Sequence, residues 1–253
     1  MSGQLKADEL RGRVVGAANA LFTAGVMSHS GHGNLSARID AQRFLLTTTG
    51  VVRDLRFDQL ATVTVEGAVE DGDLAPENAE IVAMHSVVYR ARSDVAAIIH
   101  THSPAVTAFA LAHQPLPCRA EPLLRFGQAE PVPVAPWGPR GSQVSVRGIA
   151  ALLAETPTTS AVLLANHGLL CFGEDPLSTA RLVVAMEEAA RPSWRPVPSV
   201  AQWTSRAMPC GKYVSRWGGS DPGRDPRTRE LRPGRGRASR VGRGRGCCRP
   251  RRR

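Results

Sequence analysis

Lysine is nearly missing from this chain: the first 190 of its 253 residues hold one, Lys6. Chemistry that needs a Schiff-base lysine therefore has a single candidate, in the N-terminal segment. Cysteine is equally sparse there, with only Cys118 and Cys171, which makes no disulfide framework and suits a reducing compartment. The opening MSGQLKADELRGR has no apolar signal region, and no later run reaches the roughly 18 apolar residues of a membrane span. A cytoplasmic location with no membrane partner is the expectation.

Acidic residues become rare only towards the end. Residues 191–253 carry 18 Arg or Lys against 3 Asp or Glu, whereas residues 1–190 carry 14 against 19. The formal net charge of +10 therefore belongs to the tail, and residues 1–190 read as one mildly acidic domain with enough apolar residues for a core. From Arg191 onward apolar periodicity stops, and the chain closes on GRGRASRVGRGRGCCRPRRR. That composition predicts a disordered, low-complexity segment, or the product of a GC-rich gene read out of frame. The aromatic residues of the tail are not interleaved with its Gly-Arg repeats, so nucleic acid is expected to bind at most non-specifically, through phosphate contacts.

Within the domain, helical and extended patterns alternate. Residues 7–24 have apolar positions at helical spacing and stop at Gly25. A polar, glycine-rich loop over residues 28–38 runs into a strand, and Phe44–Thr47 reads as the next strand, leading to a small-residue turn at Thr48-Thr49-Gly50. A hairpin is expected around Glu66-Gly67, then a helix from Pro76 to Arg92 feeding a strand over Val95–Thr101. A short helix at Ala105–Ala112 precedes a proline-rich extended region through Val134, and Ser142–Glu155 is helical. The apolar run from Ser160 to Gly173 reads as a buried strand continued past Asn166-His167-Gly168, and Asp175–Ala190 as a final helix. Alternation of this kind predicts a layered α/β or α+β domain.

The histidines carry the chemistry. In Ile98-Ile99-His100-Thr101-His102-Ser103 two imidazoles stand two residues apart at the end of an apolar run. In a strand such positions share a face about 7 Å apart, so both rings can converge on one ion, although two packed or surface histidines would show the same spacing. A catalytic divalent site needs a third ligand and an open position. His167 follows another apolar run and supplies one; His85 competes, but sits inside a helix among Met84, Val88 and Tyr89, where a packed histidine is the commoner case. Glu80, at the start of that helix, is the carboxylate best placed for proton transfer.

Gly33-Asn34-Leu35-Ser36-Ala37-Arg38, Thr47-Thr48-Thr49-Gly50, Glu80 with Met84-His85 through Asp94, His100-Thr101-His102-Ser103 and Asn166-His167-Gly168 occur in this order. In that order they resemble the class II aldolase and adducin head-domain superfamily, similar to fuculose-phosphate aldolase and ribulose-phosphate 4-epimerase, over residues 8–190. The resemblance implies the α/β form, a single αβα domain with a mixed, mainly antiparallel central sheet. It also implies Zn2+, or another divalent ion such as Mn2+, Fe2+ or Co2+, held by His100, His102 and His167. Glu80 would be a displaceable fourth ligand and the acid/base. It implies that Asn34, Thr49 and Gly50 hold the substrate's anionic end. The implied reaction is retro-aldol cleavage of a small ketose or ketose phosphate through a metal-stabilised enediolate, in a homotetramer. Epimerisation and 3-oxo acid decarboxylation use the same site chemistry, and an adducin-like assembly module without activity is the reading of another class. Three departures stand out. Glu80 precedes His85 by five residues, one more than in the aldolases, Asn78-Ala79 stands where phosphate-binding members carry two serines, and the C-terminal catalytic tyrosine has no counterpart outside the tail's Tyr213.

Overall fold

The computed structural model describes residues 2–139 and 141–193. Its first helix, α1 (Ser2–Thr23), buries Val14, Ala17, Ala18 and Leu21 completely, the one-sided spacing that a 3.6-residue repeat requires. Gly25, at φ 66°, ends it. The Gly25 N–H reaches the Phe22 carbonyl at 3.0 Å and the Val26 N–H reaches that of Leu21 at 3.3 Å, the paired bonds of a left-handed helix stop.

Eight strands follow: β1 (Gly33–Arg38), β2 (Arg43–Thr47), β3 (Leu60–Thr64), β4 (Val69–Asp71), β5 (Ala97–Thr101), β6 (Val134–Ala135), β7 (Ala161–Leu164) and β8 (Gly168–Gly173). They form one sheet in the order β4-β3-β2-β1-β5-β8-β7-β6, antiparallel throughout except for the parallel pair β6 and β7. Helices α2 (Ala79–Ala91) and α5 (Val144–Glu155) pack on one face. On the other lie α1, α3 (Pro104–Ala112), the short α4 (Glu121–Arg125) and α6 (Pro176–Ser193). The result is a single α/β domain in three layers, the fold class expected from the alternation together with the family resemblance.

Burial on both faces explains the unbroken apolar runs. In β5, Ile98 joins Phe44, Leu170 and Phe172 beneath α2 and α5, while Ile99 joins Leu35, Leu169 and Cys171 beneath α1 and α6. No residue of β5 reaches solvent, so the polar half of an alternating pattern is missing.

That same effect hides a reversal. The run from Ser160 to Gly173 is two antiparallel strands, β7 and β8, with Leu164 facing Gly168, joined by a three-residue turn in which Asn166 is left-handed at φ 59°. With both strands buried on both faces, only Asn-His-Gly marked the turn. The proline-rich stretch, expected to be extended, contains α4, whose Pro122 sits in the first turn where a missing N–H costs nothing. The final helix extends to Ser193, three residues past the expected boundary at Ala190. Expectations for the tail fall, from residue 194, outside the described residues.

Candidate metal centre

The site lies where β5 ends, beside the start of β1 and the turn between β7 and β8. His100 is on β5, opposite Asn34 of β1 and Leu170 of β8. His102 lies one residue beyond the strand, and His167 projects from the turn. Among the described residues these three form the group of side chains able to share an ion, their ligand nitrogens all within 4.8 Å of one another. His100 Nε2 and His102 Nε2 are 3.1 Å apart, close to the separation of about 3.4 Å between two nitrogens bound tetrahedrally at 2.0–2.1 Å to zinc.

Tautomer and charge agree with that use. His100 Nδ1–H donates to the Leu169 carbonyl at 2.9 Å, so its Nε2 lone pair faces the other rings. Burial, reinforced by His167 and His102, holds His100 well below the ordinary histidine range; burial and the neighbouring His32 lower His102 as well. Both are thus neutral near pH 7, with lone pairs to donate. Exposure rises across the group, from buried His100 through half-buried His102 to exposed His167. The donor set fits a divalent ion of the zinc type: three imidazoles, one with a backbone carbonyl fixing its ring.

Two glycines make room for the rings. A Cβ on Gly168 would stand 2.5 Å from the Thr101 carbonyl oxygen and 2.8 Å from His102 Cδ2, and one on Gly33 would stand 2.6 Å from the His100 carbonyl oxygen. At these two positions the strands on both sides of β5 carry no side chain, and the backbone next to the ligands can approach closely.

The residues expected to hold an anion come together at the same end of the sheet. Gly33 N–H donates to the Gly50 carbonyl at 3.0 Å, which sets the Thr49-Gly50 turn beside Asn34. The Thr49 hydroxyl donates to the Val51 carbonyl at 2.6 Å, so its lone pairs rather than its proton remain for another partner. Asn34 is buried, and His85 Nε2 lies 2.6 Å from its Oδ1; His85 Nδ1 lies 2.6 Å from Ser36 Oγ, and that oxygen 2.8 Å from the Tyr89 hydroxyl. One direction satisfies every donor: Tyr89 O–H to Ser36, Ser36 O–H to His85, His85 Nε2–H to Asn34. Reversed, the buried Tyr89 proton would have no acceptor among the described residues. The core thus takes up the amide oxygen of Asn34 and not its two N–H donors. Both nitrogens of His85 are occupied, and burial pushes it down to about 3, so it is a packed, neutral histidine and not a ligand.

Glu80 is not brought into the group of converging nitrogens. It is half-buried in the first turn of α2, where its Oε2 accepts the Gly141 N–H at 3.2 Å. The Asn34, Ser36, His85 and Tyr89 chain escaped the sequence reading, although strand periodicity held the signal. Asn34, Ser36 and Arg38 share one face of β1, and all three meet α2. Arg38 donates to the carbonyls of Tyr89, Arg92 and Val95 at 2.8–3.0 Å, pinning the end of α2 to the sheet.

The sequence model of the Class II Aldolase and Adducin N-terminal domain family matches residues 13–194. The chain belongs to that family. The class II aldolase family is metal-dependent, and the three histidines are positioned to bind a metal. Among its members, the chain is similar to the 3-oxo-tetronate 4-phosphate decarboxylase of Haemophilus influenzae, 32% identical over 170 residues that cover 64% of this chain and 76% of the relative. It is also similar to the 5-methylthioribulose-1-phosphate/5-deoxyribulose-1-phosphate aldolase of Rhodospirillum rubrum, 28% identical over 74% of this chain and 80% of the relative. Among solved structures, the Klebsiella pneumoniae protein YgbL, described as an aldolase/epimerase/decarboxylase candidate, superposes with a TM-score of 0.64 at 27% identity, covering 79% of this chain and 98% of its own. The L-fuculose-1-phosphate aldolase of Thermus thermophilus superposes with 0.57 at 26% identity, covering 72% and 92%.

Proposed function

We propose that this chain is a metal-dependent carbon–carbon lyase acting on a small, phosphorylated, sugar-derived substrate that carries a carbonyl group. The convergence of three imidazoles, with the His100 tautomer set by Leu169, carries the reading. Zn2+, bound by His100, His102 and His167, would supply Lewis acidity for the negative charge that develops on oxygen as the bond breaks. Asn34 would present its amide N–H groups, and Thr49 and Gly50 their turn, to the substrate's anionic end. Glu80 would carry the proton once it leaves the Gly141 N–H.

Decarboxylation of a phosphorylated 3-oxo acid is the reaction we favour. Loss of CO2 from such an acid needs no base to remove a hydroxyl proton, only an acid to protonate the carbon left behind. That suits a site whose candidate acid, Glu80, stands apart from the histidines, and the Haemophilus influenzae relative bears that name. Retro-aldol cleavage of a ketose phosphate is the second reading, favoured by the aldolase names of other relatives. Purified protein loaded with Zn2+ or Mn2+ is to be assayed for CO2 release from 3-oxo-tetronate 4-phosphate and for aldehyde release from L-fuculose 1-phosphate and 5-methylthioribulose 1-phosphate. CO2 release alone supports the first reading, aldehyde release alone the second. Turnover of neither by protein holding stoichiometric metal would sink both and favour an assembly module. A homotetramer remains our expectation, to be checked by light scattering after size exclusion.

A further inference from the structure

Helix α3 is fixed at both ends, and each end borders a segment that carries a metal-site histidine. At its start, Ser103 and Pro104 follow His102 directly. There the buried carboxylate of Glu187 on α6 accepts the Ala105 and Val106 N–H groups, each at 3.0 Å. At its end, His113 is left-handed at φ 55° and its Nε2–H donates to Asn166 Oδ1 at 2.8 Å. The Asn166 N–H in turn donates to the Ala110 carbonyl at 3.2 Å. Asn166 is the residue before His167, and its own backbone is left-handed.

His100 lies inside β5 with its ring bonded to Leu169, whereas His167 is exposed on a three-residue turn. The end of α3 is bonded to that turn, through the Asn166 side chain and through its N–H. We propose that His113 is a positioning residue of the metal centre: its bond to Asn166 locks the turn between β7 and β8, so that His167 faces His100 and His102 before any ion arrives. With Glu187 fixing the other end, α3 acts as a strut that sets the separation of His102 and His167. An ion then binds a site already ordered, without spending affinity on ordering it. The inference rests on the metal reading of the three histidines.

The test uses full-length protein, with Zn2+ affinity measured by competition against a chromophoric chelator, the absorption spectrum of the Co2+ form, and the melting temperature of metal-free protein. His113→Phe keeps the ring's bulk and removes the donor. Asn166→Gly keeps the left-handed backbone and removes the acceptor. Each is expected to weaken Zn2+ binding by about 10- to 100-fold, the usual effect of losing an outer partner of a metal ligand, and to alter the Co2+ spectrum. His113→Gln, whose amide N–H can reach Asn166, is expected to recover affinity to within about threefold of the original, on the same principle. Unchanged affinity in Asn166→Gly or His113→Phe overturns the proposal, even where the melting temperature falls, because a purely structural contact would do only that. Failure of His113→Gln to recover assigns the loss to packing and overturns it as well. If the unaltered protein binds no Zn2+ or Co2+, the metal reading itself falls and the strut with it; binding by the unaltered protein and by both variants alike removes the strut alone. Should His113→Phe not fold, Asn166→Gly and His113→Gln decide.

Discussion

Single residues decide the site by what they leave out as much as by what they contribute. Gly168 has no side chain because the Thr101 carbonyl and the His102 ring occupy that space. Gly168→Ala is expected to cost about 1–3 kcal/mol of stability, the range for overpacking a tight site, and to weaken metal binding; urea denaturation and metal titration check both. His85 gives the chain a measurable pH dependence. It is neutral when folded down to about 3 but takes a proton below about 6.5 when unfolded. The unfolded state therefore binds more protons in this window, and stability falls as pH drops from about 6.5 towards 3, by about 1.4 kcal/mol per pH unit for this one group. Above the window the contribution is fully present. Denaturation curves across it, compared between the original chain and His85→Gln, are expected to show a shallower slope in the variant; equal slopes would refute the assignment.

Elements are tied together by side chains that meet backbone groups at helix ends. Arg38 closes the C-terminal end of α2 against β1, and Glu187 closes the N-terminal end of α3 against α6. Both place charge where the helix leaves unpaired groups of opposite polarity. The Glu187 carboxylate is buried with the exposed Arg191 guanidinium 3.7 Å away, so the two backbone N–H groups are its main partners. Glu187→Ala leaves those donors buried and unmet, and is expected to cost about 2–3 kcal/mol, read from chemical denaturation. Arg191→Ala, which removes only an exposed guanidinium 3.7 Å from that carboxylate, is expected to cost less than about 1 kcal/mol.

At the scale of the molecule, metal and fold are linked. An ion that binds only the folded chain stabilises it by about 2.7 kcal/mol at a free concentration 100 times its dissociation constant. Chelation is expected to lower the melting temperature, Zn2+ to restore it, and His100→Ala to abolish the response; a thermal shift in that variant equal to the original would contradict the assignment of the ligands. Charge is divided along the chain, with 18 basic and 3 acidic residues beyond residue 190. Protein ending at Ser193 is therefore expected to lose salt-sensitive retention on heparin while keeping its metal affinity. Among the described residues no helix is long and apolar enough to cross a membrane.

Local pattern alone was enough for much of this. The helical spacing before Gly25, the apolar run ending at His100, and the His-x-His pair each depend on neighbours within a few residues, and each could be read without a fold. The sequence by itself determined which residue types could make a metal site, and that the positive charge lies apart from it. It could not show that Ser160–Gly173 doubles back, because burial on both faces erases the alternation that marks a strand's reversal. Nor could it show that Asn34 is aimed by His85, 51 positions away in the chain, or that Glu80 turns to Gly141 while His167 turns to His100. Those are distances through space, set when β1 and β8 pair with β5 and the helices close over both faces. Only the tertiary structure decided which of the candidate side chains share a centre.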